Sequence, residues 1–106
     1  MKECKVLYKT VVDPMTCIKY TGEVQETFKI YNMMKNKKER LSTIDEVYEW
    51  YISQVSKGVK MNPWTVEDYR GKIHKIHVGD YVVDEGIHGI NVFHSKEFYE
   101  RFKIIT

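Results

Sequence analysis

The stretch VGDYVVDEGIHGINVFHSKEFYERF, Val78 to Phe102, decides how this chain folds. Gly79-Asp80 is a turn pair, and YVVD after it reads as a strand with Tyr81 and Val83 on one face and Val82 on the other. Gly86 to Gly89 supplies a second turn, and INVFH reads as the next strand. Ser95 is placed to cap a short helix, SKEFYERF, whose Phe98 and Phe102 share a face with Tyr99 beside them. KIIT closes the pattern as an edge strand.

Upstream, WTVEDY and KIHKIHV flank Arg70-Gly71, which predicts a hairpin turn, and Pro63 limits helix around MNPW. LSTIDEVYEWYISQVSKG carries the clearest helix signal. Thr43 followed by Glu46 is a capping box, with Ser42 and Asp45 as an alternative register. Ile44, Val47, Tyr48, Tyr51 and Val55 form an apolar stripe, and Gly58 suits a left-handed cap. Trp50 falls roughly 120° from the centre of that stripe at about 100° per residue. In TGEVQETFKIYNMMKNKK, Thr21 is placed to cap a helix, Glu23 sits in its first turn, and Val24, Phe28 and Tyr31 share a face until the helix fades near Asn36. Before it, CKVLYKTVV (Cys4 to Val12) reads as a strand that Asp13-Pro14 interrupts, and MTCIKY resumes extended structure. The expected fold is α+β: a small antiparallel sheet with two main helices packed on it and a short C-terminal helix.

The chain has 106 residues, which suits a single domain over residues 1–106 able to remove roughly two thirds of its unfolded surface from water. Apolar residues are 42% and charged residues 30%, a globular composition. Net charge is +2, too balanced to argue for nucleic acid on electrostatics alone and too basic for a DNA mimic. No run approaches the roughly 20 apolar residues of a membrane span, and MKECKVLYKT has no apolar signal-peptide core. No membrane association and a cytoplasmic location are therefore expected. Two cysteines, Cys4 and Cys17, fit reduced thiols rather than a disulfide scaffold.

The C-terminal part of the chain, from KIHVGDYVVDEG onward, also resembles a pattern in small bacteriophage and prophage proteins of unassigned role. In that pattern a Gly-Asp-aromatic turn starts a strand, a Gly-x-x-Gly-like hairpin follows, and a short helix with spaced phenylalanines precedes a final strand. Gly79, Asp80, Tyr81, Gly86, Gly89, Phe93, Phe98 and Phe102 carry the likeness, and CIKYTGEVQETF is similar to its early strand and helix opening. The helix from Ser42 to Lys57 has no counterpart and reads as an elaboration. The proline often found before the final helix is replaced here by Ser95-Lys96-Glu97. The resemblance implies a phage-borne accessory protein and carries over no catalytic residue.

Sites for chemistry are sparse. His74, His77, His88 and His94 all lie in the last third, but three-residue spacing on a strand sends His74 and His77 to opposite faces. No CxxC or helical HxxxH supports a metal, so none is expected, and no cofactor either. Cys4 and Cys17 sit in strand-like context without a helix N-terminus to activate a thiol. Asp80, Asp84 and Glu85 fit turn chemistry better than acid–base catalysis, and GIHG is no phosphate loop. KNKKER is the one basic cluster. Its Lys35, Lys37, Lys38 and Arg40 are candidates for phosphate contact with RNA, DNA or a nucleotide.

Tyrosine and tryptophan are enriched at interaction hot spots. Trp50, Tyr48 and Ile52, on a helix that offers a partner surface or a homodimer face, and Trp64 beyond it are therefore the candidate partner-binding residues. The expectation is a non-enzymatic, phage-encoded accessory protein that binds a host macromolecule, a host protein first, with inhibition of a host defence system as one specific form. The alternative is a nucleotide- or RNA-binding small β domain.

Overall fold

The computed structural model describes residues 2–8, 15–61 and 64–104. Its central element is a five-stranded sheet in the order β6-β5-β2-β1-β7, every neighbouring pair antiparallel. The strands are β1 (Lys2–Tyr8), β2 (Met15–Lys19), β5 (Tyr81–Asp84), β6 (Ile90–Phe93) and β7 (Phe102–Ile104). Between β2 and β5 the chain forms helices α1 (Val24–Met33) and α2 (Ile44–Ser56) and a separate two-stranded hairpin, β3 (Val66–Glu67) and β4 (Ile73–His74). Helix α3 (Ser95–Arg101) links β6 to β7, which lie at opposite edges of the sheet.

The expected α+β class is found. The register Cys17↔Val83, Ile18↔Val82, Lys19↔Tyr81 sets the two faces apart. On one face Ile18 and Val82 join Ile90, Ile30 and Met33 in one core, which the hairpin segment completes with Val66 and Ile76. On the other, Cys17 and Val83 join Tyr81, Phe93, Phe98 and Phe102. A sheet covered on both faces explains why YVVD is apolar at consecutive positions instead of alternating. Phe98 stacks on Tyr81 at 3.8 Å and on Phe102 at 5.2 Å, so the phenylalanine pair of the short helix closes the second core.

Several boundaries depart from the sequence reading. β1 starts at Lys2, and residues 9–14 of the expected first strand and its proline interruption lie outside the described residues, as do Pro63 and the end of KIIT. The N-cap of α1 is Glu23, not Thr21, because Glu26 organises the start. Its buried carboxylate accepts the Thr21 and Glu23 amides at 2.6 and 3.1 Å and bonds the Thr21 hydroxyl at 2.6 Å. Val24 is consequently exposed, and the buried face runs through Thr27, Phe28, Ile30 and Met33. The helix stops at Met33, short of Asn36. His94, not Ser95, is the N-cap of α3.

α2 departs furthest from expectation. It rests on α1 rather than on the sheet, and Val47 is its single buried residue. The sheet face it was expected to cover is already occupied by α1 and the hairpin segment, so Ile44, Ile52 and Val55 are left exposed.

Candidate functional site

α2 is strongly defined at both ends. The Thr43 hydroxyl accepts the Glu46 amide at 3.2 Å, one half of a capping box, and donates to the Glu46 carboxylate at 2.9 Å. At the other end the Val59 amide reaches the Gln54 carbonyl and the Gly58 amide the Val55 carbonyl. This double closure needs a left-handed residue, and Gly58 has φ +85°. The helix is thus specified locally, and its outer face adds little to the packing beyond the edge contact of Tyr48 with Phe28.

That outer face is a ridge. Ile44, Tyr48, Ile52 and Val55 are 42%, 50%, 42% and 46% exposed, and their spacing puts them within about 80° of one another at 100° per residue. The ridge spans about 16 Å at 1.5 Å per residue. α1 lies along one side, where Phe28 meets Tyr48 at 5.3 Å and Tyr51 at 4.3 Å between ring centroids. Asp45 and Glu49 follow at about 100° and 140° and make the other edge acidic.

Of the residues expected to bind a partner, Tyr48 and Ile52 belong to this ridge. Trp50 does not. It is half-buried on the opposite flank, with the Lys35 ammonium 3.7 Å from its ring centroid. Trp64 is 60% exposed, in the stretch before β3. Sequence reading placed Ile44 and Val55 in the core stripe, although periodicity alone does not tell which flank of a broad stripe is covered.

The basic cluster is divided by the fold. Burial lowers the Lys35 pKa below the ordinary lysine value, against the opposing pull of Glu39. Arg40 turns inward. Its Nε donates to the Lys35 carbonyl at 3.2 Å, and its Nη1 pairs with Asp84 at 2.6 Å. Lys37 and Lys38 form an exposed 3₁₀ turn with Glu39.

The histidines and acids are likewise dispersed. His74 is buried and bonds Asp68 at 2.7 Å, within the β3–β4 turn that Asp68 also organises by accepting the Arg70 and Lys72 amides. Burial raises the Asp68 pKa, but the His74 bond and those amides outweigh it, and its carboxyl stays below the usual value. Buried Asp80 accepts the His77 amide and bonds His94 Nδ1 at 2.7 Å. Glu85 is held up by burial, partly offset by its bond from Asn91. Each acid of the Asp80, Asp84, Glu85 set therefore has its own structural partner. Cys17 is buried among apolar side chains. Among the described residues no group of three or more His, Cys, Asp or Glu could hold a metal.

The glycine hairpin is a surface turn held by local hydrogen bonds. Asp84 accepts the Gly86 amide at 3.0 Å, and Arg70 donates to the Ile87 carbonyl at 3.2 Å. Gly89 has φ 80° and ψ −162°, and a Cβ there would stand 3.1 Å from the Arg70 guanidinium. No described helix is long and apolar enough to cross a membrane. Comparison of the chain with protein families, curated proteins and solved structures found no match.

Proposed function

We propose that this protein is a phage-encoded accessory protein that binds a host protein in the host cytoplasm, using the outer ridge of α2, and that it acts by occupying its target rather than by catalysis. The observation that carries the proposal is the exposure of Ile44, Tyr48, Ile52 and Val55 on one face of a helix capped at both ends. A run of apolar residues at i, i+4, i+8 and i+11 on a rigid helix has the form used in helix-mediated recognition. The resemblance of the sequence to small phage proteins supports the setting, and α2 is the part of the chain that the resemblance does not cover. Inhibition of a host defence system is the specific form proposed.

The test is affinity capture from a bacterial lysate with the wild type, a Tyr48→Glu/Ile52→Glu variant and an Ile87→Glu control, all checked for native circular dichroism. The reading predicts a stoichiometric partner retained by wild type and control and lost by the ridge variant. A partner retained equally by all three would place binding elsewhere. Native mass twice that of the chain, restored to monomer by the ridge variant, would assign the ridge to self-association instead. For the defence role, expression of the protein should restore plaque formation of a phage that the host restricts, and the ridge variant should not.

A further inference from the structure

α2 is an acidic element in a chain whose net charge is +2. Its 13 residues include Asp45, Glu46 and Glu49 and none of the chain's 17 lysines and arginines. Asp45 and Glu46 lie in the first turn, where the helix dipole favours acids, and the Glu46 carboxylate is bonded to Thr43. Glu49 lies a turn further in, where that reason no longer holds. It stands four residues after Asp45, so the two carboxylates are neighbours on one edge of the helix, and a like-charged pair at that spacing destabilises a helix.

Nothing in the fold relieves the pair. Both residues are exposed, and among the described residues neither side chain has a hydrogen bond or an ion pair. The positions one turn beyond Glu49, Ile52 and Ser53, hold no cation.

This acidic edge borders the ridge. At 100° per residue Asp45 and Glu49 follow Ile52 by about 20° and 60°, so a surface laid on Ile44, Tyr48, Ile52 and Val55 also meets the two acids. On the other side the ridge is closed by α1, through Phe28.

The charge sorts the occupants. A nucleic acid or an anionic lipid surface is repelled. The α2 of a second copy brings the same acids and no cation. A basic protein surface complements both the acids and the apolar strip. The strip is straight, narrow and about 16 Å long, the form of the stripe that two helices share when they pack.

We propose that the ridge receives an amphipathic helix of the target, its apolar stripe on Ile44, Tyr48, Ile52 and Val55 and its lysine or arginine side chains along the flank that meets Asp45 and Glu49. Such a partner rests on the proposed function, in which the ridge is the binding face.

Two synthetic peptides of about 18 residues serve as probes, long enough to form a helix. Each has a leucine stripe at helical spacing, flanked by lysine in one and by glutamate in the other. Amide chemical shifts of the ¹⁵N-labelled full chain report their binding. The lysine peptide should shift the amides of Ile44 to Ser56 saturably, and the glutamate peptide should not. Asp45→Asn/Glu49→Gln should weaken the lysine peptide about fivefold at low salt, the scale of two exposed ion pairs. Tyr48→Ser/Ile52→Ser, which removes the apolar strip without adding charge, should abolish its binding. Glu49→Gln alone should unfold at no lower a denaturant concentration than wild type, since in the free protein this charge only repels Asp45. No saturable shift with the lysine peptide, equal shifts from both peptides, unchanged affinity in the folded Asp45→Asn/Glu49→Gln variant or a lowered midpoint for Glu49→Gln would each overturn the proposal. A lysate partner that is lost by Tyr48→Glu/Ile52→Glu but held fully by Asp45→Asn/Glu49→Gln would leave the ridge as the binding face and remove only the basic helix. A lysate partner retained by the ridge variant would remove both.

Discussion

The Lys35 ammonium lies over the Trp50 ring, 3.7 Å from its centroid, so a residue just beyond α1 covers the tryptophan of α2. A partly desolvated cation on an indole face contributes about 0.5–2 kcal/mol. A double-mutant cycle with Lys35→Met and Trp50→Leu, read by urea unfolding, should give a coupling in that range. A coupling near zero would show that the two side chains do not sense each other.

The outer ridge should matter little in folding. Ile52→Glu is expected to change unfolding free energy by less than about 1 kcal/mol, as exposed substitutions do, and Tyr48→Glu, which also gives up its edge contact with Phe28, by about 1–2 kcal/mol. Phe98→Ala removes a fully buried ring stacked on Tyr81 and Phe102 and should cost about 3–5 kcal/mol. Denaturant midpoints of the three variants check the contrast.

Glu26 separates shape from charge. Glutamine can keep its oxygen on the Thr21 and Glu23 amides and turn its NH₂ toward the Thr21 hydroxyl, which then accepts. Glu26→Gln should therefore stay within about 1.5 kcal/mol of wild type, while Glu26→Leu strands those donors and should cost about 3 kcal/mol or more. Equal stabilities for the two variants would contradict this role.

Asp68 predicts a pH dependence. Its folded pKa lies below the ordinary 3.8, so its contribution is present above 3.8 and fades as pH falls through the folded value. Asp68→Asn should be less stable than wild type by about 2 kcal/mol at neutral pH, the scale of a buried bond to a charged group. The two unfolding curves should converge in acid below 3.8. A gap that persists unchanged at low pH would mean that the carboxylate's charge is not what matters.

Gly89 should resist substitution. Its backbone lies in a region that is essentially restricted to glycine, and a methyl group would press on Arg70. Gly89→Ala is expected to cost about 1–3 kcal/mol and to move the Arg70 and Ile87 amide resonances. Gly58→Ala, with nothing within 4 Å of its Cβ, should cost about 1 kcal/mol.

The turns and strands from Val78 onward were legible because glycine, aspartate and short apolar runs act within a few positions of one another. The capping of α2 was legible for the same reason. What the sequence withheld was contact between distant elements. Val24 and Ile44 sit at sound helical spacing, yet both are largely exposed, Val24 in the first turn that Glu26 sets and Ile44 on the outer side of α2. Arg40 reads as one of four free cations, and only the fold brings Asp84, 44 positions away, against it. Trp50 stood out by its angle, but its cover came from Lys35, a residue whose charge suggested solvent. The ridge was half-visible through Tyr48 and Ile52, because a stripe wider than its support exposes one flank and periodicity does not say which.

The placement of α2 outside both cores has an evolutionary consequence. With one buried side chain, α2 carries little of the information that specifies the sheet, so its outer residues can drift without disturbing the rest of the fold. On the proposed function, a lineage carrying this scaffold can change what it recognises through a handful of surface codons, while selection for folding acts elsewhere in the chain. Related chains should therefore vary most along Ile44, Tyr48, Ile52 and Val55 and least around Phe98 and Phe102.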